Sequence, residues 1–164
     1  MNDAVSPSLG EIISEYVPGE EVVAAEMFQK SGTWAVTAGG GFLSKLFGRG
    51  GEEGPKGPEK FNALILTRER LHLIGVKSKS GRWVVTEPVG SWDVDDLVSS
   101  ARQEHTHMPR TGREPIRTVE TIQLSIDIKS ENRNLALEGT LWGEESKAQE
   151  TTDALLAATG GQWS

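Results

Sequence analysis

The sequence predicts a mainly β domain, an antiparallel sheet of about seven strands with a short helix before it and a longer helix after it. Three stretches carry that prediction. Residues 61–76 are two apolar runs around a charged centre, Thr67-Arg68-Glu69-Arg70, the pattern of a tight hairpin. Residues 118–128 alternate Ile122, Leu124, Ile126 and Ile128 with Gln123, Ser125 and Asp127, which gives one buried face and one wet face. Residues 144–159 place Ala148, Thr152, Leu155, Leu156 and Thr159 on one helical stripe and stop at Gly160-Gly161.

The remaining elements follow in order. Leu9, Ile12, Ile13 and Tyr16 are spaced for a helix, and Ser8 with Glu11 makes a capping box before it. A helix over about 8–16 results, stopped by Pro18-Gly19, and its apolar face is expected to dock on the sheet. Residues 21–29 read as the first strand, and 32–37 either continue it or begin another. Residues 38–60 hold eight glycines and two prolines around one apolar island, 42–47. A loop of that length is expected to be flexible and functional.

After the hairpin, Ser78-Lys79-Ser80-Gly81 is a turn, and 82–86 form a strand that Pro88 and Gly90 are expected to interrupt. Residues 92–94 are a short extended piece. Residues 95–98 open either a strand or a helical turn. Residues 99–117 are polar, carry Pro109, Gly112 and Pro115, and read mostly as loop. Residues 133–142 return against 118–128, with Leu135, Leu137, Gly139 and Leu141 on one face.

Composition bounds the function. At 164 residues the chain suits a single domain, with the β unit over 18–159. It has no cysteine, which removes disulfides, thiolate metal sites and cysteine nucleophiles and is compatible with a reducing cytoplasm, the expected location. Neither a secretory signal nor an apolar run long enough to cross a bilayer is evident. The net charge of -7 argues against nucleic-acid binding. The acidity is local: residues 1–26 hold six acids and no Lys or Arg, while 27–139 hold sixteen basic and fourteen acidic residues.

The order of elements, with the run 64–74 (Leu-Ile-Leu-Thr-Arg-Glu-Arg-Leu-His-Leu-Ile) and the entry 17–23 (Val-Pro-Gly-Glu-Glu-Val-Val), resembles bacterial pleckstrin-homology-like (PH-like) and GRAM-like domains. The resemblance covers roughly 17–159 and implies a strongly bent sheet, a β-barrel closed at one end by the C-terminal helix. Lipid-binding PH domains place several basic residues in and after the loop joining their first two strands. Here that region offers Lys30, Lys45 and Arg49 without their spacing, so headgroup binding is not implied.

Candidate site residues fall in two loops. Phe42, Leu43, Leu46 and Phe47, beside Lys45 and Arg49, either fold back over the sheet or contact a protein partner or a membrane surface. The glycines around them lack the Gly-Lys-Ser/Thr ending of a phosphate loop. Arg102, Arg110, Arg113 and Arg117 form the one basic concentration, a solvated loop or an anion contact. His105 and His107, two apart, are weak candidates for a shared metal. Asp93, Asp95 and Asp96 read as caps and surface rather than as paired catalytic carboxylates, and no serine sits in a nucleophile elbow. The expectation is therefore a non-catalytic interaction module without cofactor. It would use these loops or an open sheet edge to bind a protein partner, with a membrane surface or a second copy of itself as alternatives.

Overall fold

The computed structural model describes residues 7–31, 58–107, 118–141 and 146–164. Helix α1 (Pro7–Tyr16) leads into strand β1 (Val22–Lys30). Strands β2 (Phe61–Thr67), β3 (Arg70–Lys79) and β4 (Arg82–Asp93) follow. A 3-10 turn at Val94–Asp96 then opens β5 (Leu97–His107). Strands β6 (Thr118–Ile128) and β7 (Arg133–Thr140), helix α2 (Ala148–Thr159) and a two-residue strand β8 (Gln162–Trp163) complete the order. The strands form one sheet in the order β4-β3-β2-β1-β7-β6-β5-β8. All neighbours are antiparallel except β5 and β8. The ladder does not close into the ring that a barrel requires: β4 and β8 are its two ends.

Two hydrophobic clusters explain why the sequence reads as it does. Leu64 and Leu66 of β2 join Leu71, Leu73, Trp92, Leu97, the four alternating apolar residues of β6, Leu135, Leu137, Leu155 and Leu156 in one core. That core is shared by both halves of the sheet and by α2. Ala63 and Ile65, on the opposite face of β2, pack with Ile74, Val76 and Ala25 beneath Leu9, Ile12 and Val17 of α1 and its exit. Strand β2 is thus covered on both sides, and six of its seven residues are buried. A strand covered twice has no wet face to be polar, hence the continuous apolar run. By contrast β6 and β7 turn their apolar residues to one face only and alternate them with polar ones.

Each turn has a local cause. Thr67 and Arg70 bracket a two-residue connection in which no residue has positive φ, and Thr67 Oγ1 accepts the Arg70 N–H at 3.1 Å. The β3–β4 turn instead uses Ser80 and Gly81 at φ 52° and 76°, the mirror-image geometry that matches strand twist. Gly160, at φ 70°, ends α2.

Three boundaries differ from those the sequence predicts. Strand β4 is not interrupted by Pro88 and Gly90. It continues to Asp93 because Val89 and Thr86 are skipped in the register against β3, two bulges that absorb the irregularity. Residues 99–107 are strand rather than loop, paired without a break from Leu97↔Ile128 to His107↔Thr118. Helix α2 starts at Ala148, later than predicted, and Glu150 is the one acid in its first turn. Trp163 is held in β8, where its indole N–H donates to Asp153 Oδ1 at 2.7 Å.

Candidate functional site

Of the residues singled out from sequence, Phe42, Leu43, Lys45, Leu46, Phe47, Arg49, Arg110, Arg113 and Arg117 lie outside the described residues. Arg102 is placed on the outward face of β5, not in a loop. Its guanidinium pairs with Glu104 at 2.6 Å, and among the described residues no other basic side chain joins it there. His105 is exposed, with Nδ1 3.9 Å from Glu120 Oε1; of His107 the backbone alone is described. Among the described residues no group of three or more His, Asp and Glu converges as a metal site. Asp96 accepts the N–H of Ser130 at 2.9 Å and Asp93 pairs with Arg70 at 2.8 Å, so both carboxylates serve structure.

The geometry that stands out is the difference between the two outer strands. On β4, Pro88 removes a donor, two bulges bend the chain, and Arg82 is tied to Glu11 of α1 at 2.7 Å. Those are the devices that keep an edge from pairing with another chain. Strand β5 has neither proline nor bulge, and its Arg102 pairs with Glu104 of the same strand rather than with a helix. It pairs with β6 over eleven residues with no bulge, proline or lysine.

The direction of its backbone groups follows from one contact. Ser164 N–H donates to Ala101 O at 2.9 Å, so the amide and carbonyl of Ala101 point away from β6. In a regular strand the same holds for every second residue. Gln103 and His105 therefore present N–H and C=O to the open side. Strand β8 covers the edge at Ser100 and Ala101 only. Both Gln103 and His105 are exposed. Among the described residues the edge from Gln103 onward has no strand beside it.

Two clefts flank the middle of the sheet on its outer face. One, about 200 Å³, has Ser31, Arg102, Gln123 and Ser164 on its lining beside Ala101, Leu124 and Ala136. The other, about 310 Å³, sits at the seam of β1 and β7 and includes Glu26, Gln29 and Glu138 beside Phe61 and Trp83. Sequence reasoning missed this second site. Glu26 and Gln29 lie in what reads as an ordinary first strand, and Glu138 among the alternating residues of β7. What places them together is the β1–β7 pairing, a contact between residues more than a hundred positions apart that no local pattern announces.

No family model matches the chain, and no curated protein matches it in sequence. Among the described residues no helix is long and apolar enough to cross a membrane.

Proposed function

We infer that the protein is a PH-like interaction module that binds an extended segment of a protein partner by strand addition at β5. The observation that carries this reading is the contrast between the blunted edge at β4 and the regular edge from Gln103 to His105, which no strand covers among the described residues. Backbone pairing at such an edge supplies affinity, and side-chain positions alternating along the strand supply selectivity. The strand order supports the PH-like part of the reading. Two antiparallel meanders, β1–β4 and β5–β7, join through β1 and β7 around one core, and a helix follows the last long strand. That description concerns order and bend, not a closed hydrogen-bonded ring. Cytoplasmic location and the absence of catalysis belong to the same proposal.

A random-peptide display selection on the full chain tests it. Selected peptides are expected to slow hydrogen exchange at the Gln103 and His105 amides. They are also expected to lose binding to the Gln103→Pro variant, which deletes an edge donor while leaving the β6 ladder intact. Binders that protect neither amide, or that bind Gln103→Pro as well as the parent, overturn the proposal.

A further inference from the structure

Strand β5 offers a guest strand backbone groups but no pattern by which to align it. From Arg102 to His105 its side chains are all polar, and a strand of that kind specifies register weakly. The neighbouring strand β8 carries what β5 lacks. Gly160, at φ 70°, turns the chain out of α2, and Gly161 lies so close to the edge that a Cβ there would run into Ser99 O. Gln162 and Trp163 then pair in parallel with Ser100 and Ala101, and the Ser164 N–H donates to Ala101 O at 2.9 Å. Among the described residues the cover ends there, so Gln103 is the first position at which an incoming strand meets open ladder groups.

Trp163 stands beside that position. Aligned residues of neighbouring strands share a face, so Trp163 lies on the face of Ala101, the side covered by α2. Gln103 follows two residues on along the same face, about 7 Å farther, within reach of a large side chain. The indole is held in place: its N–H donates to Asp153 Oδ1 of α2 at 2.7 Å. With its one polar atom engaged, the ring has only carbon to present, and Trp163 is 37% exposed. Of the other exposed large apolar side chains among the described residues, Tyr16 and Val23 belong to α1 and β1, and Val98 turns to the opposite face of β5.

A ring already fixed in position adds contact area at little further cost in side-chain entropy, and tryptophan is enriched among the residues that dominate interface affinity. Strand addition needs such an anchor, because main-chain bonds are alike for every peptide and selectivity comes from side chains. We propose that Trp163 is the specificity-determining residue of the β5 edge. It packs against a large apolar side chain, a leucine, isoleucine or phenylalanine, of the guest residue opposite Gln103, and so fixes the register of the guest strand. The partner is an extended protein segment that carries this residue on the α2 face. The inference rests on strand addition at β5 and adds the side chain that the edge selects.

Peptides taken from a random display library on the full chain are the probe. Those that protect the Gln103 and His105 amides from exchange are expected to share one large apolar position, with nuclear Overhauser contacts from that side chain to the Trp163 ring. Replacing that peptide residue by serine is expected to weaken binding by about tenfold or more, and Trp163→Thr in the protein to do the same. A Trp163→Thr change that merely freed β8 would uncover Ala101 and lengthen the edge, so binding would hold or rise; protection of the Ser164 amide reports whether β8 stays docked. The contacts and the peptide substitution need no protein variant. Peptides that protect both amides but share no apolar position, make no contact with the Trp163 ring, or bind Trp163→Thr as well as the parent overturn the anchor and leave strand addition standing. Peptides that protect neither amide overturn both. Protection of the two amides that rises with protein concentration and no peptide present assigns the edge to a second copy and overturns the proposal.

Discussion

Glu26 Oε2 accepts the backbone N–H of Lys147 at 2.8 Å, so a side chain from the middle of β1 closes the entry to α2. No side chain of α2's own cap residue does this. The carboxylate sits where the helix presents its positive end, and its other oxygen holds the Met27 N–H. Replacing Glu26 with Ala is expected to cost about 1–2 kcal/mol from a lost cap and a lost charge-assisted hydrogen bond. Urea unfolding measures the loss. Faster hydrogen exchange confined to the first turn of α2 would mark its origin.

Gly139 occupies the inner face of β7 where the sequence places it, in line with Leu135 and Leu137. A Cβ there would stand 2.8 Å from Phe28 Cε2 and 3.0 Å from Ala148 Cβ. Gly139→Ala therefore forces the ring or the start of α2 to move. Overpacking of this kind typically costs about 1–3 kcal/mol. Calorimetry is expected to show a fall in Tm of about 2–4 °C for each kcal/mol in a chain of this size. A rise in Tm would show that the site relaxes freely.

Asn62 is buried in the most apolar strand of the chain. Its side chain accepts the Glu59 N–H at 2.9 Å and donates to Glu59 O at 2.8 Å and Phe28 O at 3.4 Å. It closes the chain's entry into β2. Asn62→Ala leaves those backbone groups short of partners at a cost of about 1–3 kcal/mol. Denaturant titration is expected to show a lower midpoint with an unchanged slope.

Arg82 and Ile65 form a contrasting pair. The Arg82–Glu11 bridge is 2.7 Å long but both side chains are mostly exposed, so Arg82→Ala is expected to change stability by less than about 1 kcal/mol. Ile65 is fully buried under α1, and Ile65→Ala is expected to cost about 2–5 kcal/mol. Equal losses in parallel unfolding experiments would mean that α1 is held by the ion pair rather than by the apolar face beneath it.

The extent to which the sequence discloses this fold follows from what each segment buries. Strands β2, β3 and β6 were legible because their apolar spacing matches one or two covered faces. Helix α1 was legible because a full apolar stripe meets the sheet. Strand β5 was not. Beyond Ala101 its residues are polar, and nothing in Arg102-Gln103-Glu104-His105 alternates apolar with polar, because the strand is held there by backbone pairing to β6 rather than by burial. In the sequence strand β4 reads as broken because proline and glycine usually end strands. Here Gly90 makes room for the Trp92 indole, and Pro88 sits on an outer strand that tolerates a missing donor. The seam cleft was invisible for a different reason. Gln29 and Glu138 meet only through pairing across the chain, and each alone is an unremarkable polar residue in a strand.

The unequal edges also set a limit on assembly. Two copies that join through β5 in antiparallel fashion use the same surface twice, and a two-fold arrangement of that kind leaves no matching edge for a third. Continued stacking needs the opposite side of the sheet, where Pro88 and the offsets at Val89 and Thr86 present no regular row of donors. Growth by edge pairing of that kind would stop at a pair, and the asymmetry of the two edges guards the molecule against running on into a fibre.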